Sequence, residues 1–255
     1  LKIKKLISPE FRITVGSYEI RKGIEVECFS SKESHMDWCR VELSPELQGY
    51  IKFKDMDEAS VELGYDGDYD SLIEGYVRCS QEDYWKEIII KDDLMKLERV
   101  NIKATFLDCE PQDIIRYVLT CAGIEDYVLP EEYYGKKERL VIDRRNGLQA
   151  LAEVNGAWSI SKPFYFQNKI FYWGAGADQK EMYVLEEDET ILSLNKYGSL
   201  WEAETIAVPW IHHSQQVEIR HSKYSGRAEV ERTIVRSDNT GAVHMYIYFG
   251  GSADV

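Results

Sequence analysis

The sequence predicts a mainly β fold in which two β domains bracket a small α+β module, over residues 1–100, 101–185 and 186–255. Three observations carry that prediction. Short runs with an apolar residue at every second position fill the first hundred residues, as half-buried strands require. Apolar residues at helical offsets then take over. Beyond residue 186 the two-residue alternation returns, separated by turn residues, the texture of a sandwich or barrel.

The elements follow in order. Phe11-Arg12-Ile13-Thr14-Val15, Ile24-Glu25-Val26-Glu27-Cys28 and Cys39-Arg40-Val41-Glu42-Leu43 alternate cleanly. So do Ser60–Tyr65 and Leu72–Val77, and Glu87-Ile88-Ile89-Ile90-Lys91 reads as a further strand. In the middle, Gln112–Gly123 is predicted as a helix: Pro111 suits its first turn, Glu110 and Asp113 suit its dipole, and Gly123 suits its C-terminal cap. A second helix is predicted over Asn146–Gly156, with Leu148, Leu151 and Ala152 on one face and Asn155-Gly156 as its stop. Ala157–Ile160, Phe164–Phe166 and Lys169–Trp173 then read as strands, with Gln167-Asn168 at a tight turn. In the last third, Thr190–Leu194, Leu200–Ile206, Gln216–Arg220, Arg227–Arg236 and Ala242–Phe249 alternate, and Ser237–Gly241 has the Asx and Gly chemistry of a hairpin loop. No internal repeat relates the two β regions by eye.

Composition excludes several functions. With 31 basic and 45 acidic residues among 255 and a formal charge of −14, the chain lacks the basic stripe that neutralises phosphates, so stable nucleic-acid binding is not expected. A chain this long buries enough surface to fold without metal or disulfide. Its apolar runs fall far short of the ~20 residues of a membrane helix, so no membrane anchor is expected. Leu1-Lys2-Ile3-Lys4-Lys5 lacks the apolar stretch of a signal peptide, and without an initiator Met the chain is expected to have been trimmed or to begin further upstream. The five cysteines, Cys28, Cys39, Cys79, Cys109 and Cys121, are odd in number and form no C-x-x-C pair, which points to buried thiols in a reducing compartment.

Few residues suggest chemistry. Asp66, Asp68 and Asp70 occupy positions 1, 3 and 5 of a possible calcium loop with Glu74 at position 9, but Ser71 and Val77 stand where such a loop needs Gly and a bidentate Glu. An exposed hairpin loop is the simpler reading. His212-His213 is the histidine cluster; adjacent strand residues point to opposite faces and cannot chelate one ion, so a loop entering the next strand is expected. There is no G-x-S-x-G elbow, P-loop, dinucleotide fingerprint or H-E-x-x-H. Seventeen Tyr and six Trp suit either packed interfaces or sugar platforms, with interfaces favoured. No catalytic, cofactor-binding or metal-binding residue is assigned, and no cofactor is expected.

Several stretches together resemble the baseplate hub proteins of phage tails, the late control protein D family, which includes hubs of defective prophages and contractile bacteriocin-like particles. Ser30–Ser44 is similar to the family's opening strand pair, with its Ser-rich turn and Asp-aromatic step at Asp37-Trp38. Val61–Tyr65 and Leu72–Val77 resemble its paired G-Y and G-x-v strands, with Ile73 where an aromatic is usual. Lys91–Leu97 and the helix ending Leu119–Ile124 resemble its D-x-x-x-x-L and a-G-i segments. The resemblance implies two tail-tube-like β-barrel domains per subunit around the insert. It implies a homotrimer that adapts a sixfold tail tube, or its initiator, to a threefold spike beside other baseplate proteins, in a virion tail assembled in the host cytoplasm. It implies no enzymatic activity. An acidic channel in such a ring would let DNA pass without sticking. The sequence stops at Val255 soon after a strand, where longer hubs carry further strands, so closure of the second barrel is open. The rival is a tail-associated cell-wall hydrolase or carbohydrate-binding module, which needs a cleft with two carboxylates roughly 5–9 Å apart.

Overall fold

The computed structural model describes residues 8–33, 36–79, 86–177, 179–238 and 241–250. The chain divides into two compact units, Leu1–Lys91 with Asp178–Val255, and Asp92–Ala177. It is mainly β with a small α+β insert, as the alternation predicts.

The first unit opens with β1 (Glu10–Val15), β2 (Tyr18–Ile20), β3 (Ile24–Ser31), β4 (Trp38–Leu43), β5 (Glu58–Tyr65), β6 (Asp68–Arg78) and β7 (Glu87–Lys91). Alternation decides their faces: Ile13, Val15, Val26, Cys39, Val41, Val61, Leu63, Ile88 and Ile90 are buried, while their neighbours turn outward. The β5–β6 hairpin turns on Asp66 and Gly67, whose φ angles of 53° and 85° make the two-residue turn that matches strand twist.

The insert contains α1 (Leu94–Arg99), β8 (Ile102–Cys109), α2 (Pro111–Cys121), β9 (Tyr127–Val128), β10 (Lys137–Arg145), α3 (Gly147–Trp158), β11 (Phe164–Gln167) and β12 (Ile170–Trp173). Pro111 starts α2, where Glu110 and Asp113 cap each other's backbone N–H groups. Its buried face is Ile114, Ile115, Val118 and Leu119, at i and i+4 spacing. The helix ends where Gly123 takes a φ of 68° and Ile124 N–H returns to the Leu119 carbonyl at 2.9 Å. At the start of α3, Asn146 accepts from Gln149 N–H at 2.8 Å while the Gln149 side chain accepts from Asn146 N–H at 3.2 Å. A Cβ on Gly147 would stand 2.8 Å from the Leu97 carbonyl oxygen, so glycine lets α3 pack directly on α1. The strands form a β8–β10 ribbon and a three-stranded sheet, with β9 parallel to β12.

One expectation is corrected here. α3 does not stop at Asn155-Gly156 and Ala157–Ile160 is not a strand: the helix runs to Trp158 and ends on Ser159 in the left-handed conformation. Tertiary bonds outweigh the local stop signal. The Asn155 side chain donates to the Lys162 carbonyl at 3.0 Å and accepts from Trp173 Nε1–H at 2.8 Å, and Trp158 Nε1–H donates to the Gly135 carbonyl at 2.8 Å.

The chain then returns to the first unit with β13 (Tyr183–Glu186), β14 (Ile191–Tyr197), β15 (Leu200–Ile206), β16 (Gln216–His221), β17 (Tyr224–Ser237) and β18 (Val243–Gly250). These strands do not build a separate sheet. Strand β17 pairs with β18 on one side, while on the other its first part pairs with β16 and its later part with β3, giving the order β14-β15-β18-β17-β3-β4-β7-β6-β5-β1-β2. The expected barrels are therefore not closed. Among the described residues the run β13-β16-β17-β18-β15-β14 meets itself only at an isolated bridge between Glu187 and Ile191. The core lies on the inner side of this shared sheet, with Phe249, Ile247, Met245 and Val235 joined in one cluster to Val26, Cys28, Cys39 and Val41. Among the described residues no helix is long and apolar enough to cross a membrane.

Candidate interaction face

Strands β3, β4, β15, β17 and β18 also present an outer side, and it is chemically distinctive. In register across β15, β18, β17, β3 and β4 run Glu204, Tyr246, Ile234, Phe29 and Trp38; the adjacent row is Glu202, Tyr248, Arg232 and Ser31. Most of these side chains are only half-buried. Phe29 and Trp38 stack with ring centroids 5.6 Å apart and planes 12° from parallel, and the Arg232 guanidinium sits 4.0 Å over the Tyr248 ring. Burial and a Glu202 partner push the Tyr248 hydroxyl up to about 12, so it stays a neutral donor.

Where the early and late strands meet, Glu27 of β3 accepts from two arginines. Arg40 of β4 donates at 2.9 Å and Arg236 of β17 at 2.7 Å. Further along the face, Glu204 lies 3.0 Å from His244 Nδ1 and accepts from Ser193 at 3.1 Å. These groups hold side chains in fixed positions and offer no activated nucleophile. The arrangement suits recognition by rigid aromatic and paired charged groups, as at protein interfaces.

The structure places the sequence-derived candidates elsewhere. Asp66 lies in the β5–β6 turn, whereas Asp68 and Asp70 stand on β6. Glu74 lies on the same strand about 13 Å beyond Asp70 at ordinary strand rise, so the four carboxylates do not surround one point. Among the described residues no group of three or more His, Cys, Asp or Glu side chains converges as metal ligands. The cysteines form no disulfide; Cys28, Cys39 and Cys109 are buried, Cys79 is half-buried and Cys121 exposed.

His212 and His213 lie in the loop between β15 and β16. His213 is 2% exposed, its Nδ1 is 2.9 Å from Ser214 Oγ, and its Nε2 is 3.7 Å from Asp37 Oδ2. Asp37 in turn accepts from Ser30 Oγ–H at 2.6 Å and Ser31 N–H at 3.0 Å. A Ser-His-Asp series is present, but its geometry is that of a fastening. The serine adjoins the histidine in sequence, the Asp–His separation exceeds a hydrogen bond, and burial pushes His213 down to about 3, far below a useful base. Burial pushes Asp37 up to about 7 against the pull of its two donors, so both partners are held toward neutral forms.

Sequence reasoning missed this pair because the two residues are distant in the chain. Its pH behaviour is testable. A His lowered on folding contributes stability above its unfolded value, lost as pH falls toward 3; a raised Asp contributes in the opposite sense, lost as pH rises from about 4 to about 7. Asp37→Asn keeps the acceptor for Ser31 and removes only the second effect. Relative to the parent, the variant should gain stability as pH rises from 4 to 8 in denaturant titrations, because the parent alone must ionise a buried carboxyl over that range. A pH-independent difference would show that Asp37 titrates normally.

The fold is that of phage tail proteins. The prophage MuSo2 43 kDa tail protein from Shewanella oneidensis superposes with a TM-score of 0.73 at 12% identity, over 95% of this chain and 97% of that one. The c3393 protein of E. coli, described as a type VI secretion component structurally similar to T4 tail proteins gp27 and gp5, gives 0.71 at 9% identity, over 95% and 77%. A tail protein from Neisseria meningitidis MC58 gives 0.68 at 10% identity, over 96% and 97%. No protein-family model and no curated protein sequence matches.

Proposed function

We propose that this protein is a structural component of a phage or phage-like tail, and specifically a baseplate hub. Three copies would form an adaptor between the sixfold tube and the threefold spike, in contact with other baseplate proteins. The observation that carries the reading is the likeness to three tail-associated proteins across at least 95% of this chain, which includes the insert as well as the shared β sheet. The half-buried aromatic and paired-charge face supplies an interface, and the chain works through such contacts without a catalytic residue. The acidic excess would line the channel through which DNA passes.

Light scattering of the purified chain across a concentration series tests the reading. A mass near three times 29.6 kDa is expected, with the spike co-purifying. A strict monomer both alone and with its tail partners would overturn the trimeric adaptor. Cleavage of purified peptidoglycan would replace it with the hydrolase reading.

A further inference from the structure

The early β strands stop short of closing, and the gap is built in a particular way. Strand β1 is paired with β5 along its length, but β2 covers only Ile13–Val15, which leaves the other side of Glu10–Arg12 without a neighbouring strand among the described residues. Strand β3 is paired with β4 from Ile24, but the β17 ladder reaches only Glu27–Ser31, which among the described residues leaves Ile24 and Glu25 without a strand on that side. There the Ser237 hydroxyl accepts from Val26 N–H at 2.8 Å. Residues of both half-edges, Glu10 and Phe11 on β1 and Ile24 and Glu25 on β3, line one open cleft of about 930 Å³.

The cleft has a chemical character. Phe11, Ile24, Leu43 and Val243 give it apolar wall, and its carboxylates, Glu10, Glu25, Glu42, Asp66 and Asp238, outnumber Arg21 and Lys22. Unpaired strand edges demand backbone partners, and an acidic rim favours a cationic one.

We propose that this cleft receives an extended segment of a partner tail protein, with basic and apolar side chains in alternation, which adds as a strand between β1 and β3. Backbone hydrogen bonds to the half-edges would give affinity. The apolar side chains would face Phe11 and Leu43 while the basic ones meet the rim, the usual division of labour in strand addition. The inference deepens the reading of the chain as an assembly component and takes only the source of the segment from it. Binding is measured independently of oligomeric state, so the two can fail separately.

The probe is a fluorescein-labelled hexapeptide of alternating Lys and Val, titrated with the full chain and followed by anisotropy. Saturable binding at about 100 µM or tighter is expected, together with at least tenfold weakening by the exposed double substitution Glu25→Lys and Glu42→Lys. A proline at the central valine should abolish binding, because it removes a backbone donor. Failure to bind, equal binding of a Glu/Val peptide, or indifference to the proline would overturn the proposal. So would binding that emerges only when residues 1–7 are deleted, since the chain would then be shown to compete for its own cleft. Co-migration of the double variant with the parent in thermal unfolding confirms that it is folded.

Discussion

Thr233→Pro should destabilise the whole β unit by about 3 kcal/mol or more. Thr233 sits where β17 is flanked on both sides, opposite Ser30 of β3 and Ile247 of β18, and it is 5% exposed. Its N–H points toward one neighbour or the other, so proline removes a ladder bond in either case, and a ring in a central strand also clashes with the pleat. The pattern of damage matters as much as its size. Because β17 is common to the early and late strands, hydrogen exchange should accelerate in β3 and β18 together. The insert, with its own core, should retain its protection. Exchange confined to β16–β18 would mean that the two β segments are independent domains.

Trp173→Ala should have an effect of the same order in the insert, about 3–5 kcal/mol. Trp173 is fully buried, its ring meets Tyr134 edge-on with centroids 5.5 Å apart, and its Nε1–H donates to Asn155 Oδ1 at 2.8 Å. Truncation opens a cavity and also strips the acceptor on α3 of its donor, which adds the cost of an unsatisfied polar group. Trp173→Phe separates the two contributions. It should recover most of the packing but leave Asn155 Oδ1 without its donor, and so fall between the parent and the alanine variant in urea melts. A phenylalanine variant as unstable as alanine would assign the whole effect to the hydrogen bond.

What the sequence makes legible follows from which forces are local. Strands such as β1, β3, β4 and β15 are readable because one face is buried and the alternation records it. Helix α2 is readable because Glu110-Pro111 mark its start and Gly123 its end within one short stretch of chain. Strand β8, Ile102–Cys109, escapes because Leu107 is 69% exposed and breaks the alternation, and β10 because Leu140-Val141-Ile142 stand together among charges. The end of α3 escapes because partners at Lys162 and Trp173 override Asn-Gly. The interaction face is the least legible part. Tyr246, Ile234 and Phe29 each look like an ordinary outward strand residue, and only the pairing of β3 with β17 puts them in one row.

That pairing also sets a timetable. Glu27 and Arg236, which meet across it, are 209 positions apart, while the insert is a continuous stretch of chain. On a ribosome adding roughly 5–20 residues each second, the β3 edge waits some tens of seconds for its neighbour. The insert can fold meanwhile, and closing so long a loop is slow in any case. During that interval a nascent chain exposes an unpaired β edge beside Phe29 and Trp38, so a chaperone that holds this protein is needed until Arg232–Arg236 of β17 can reach that edge.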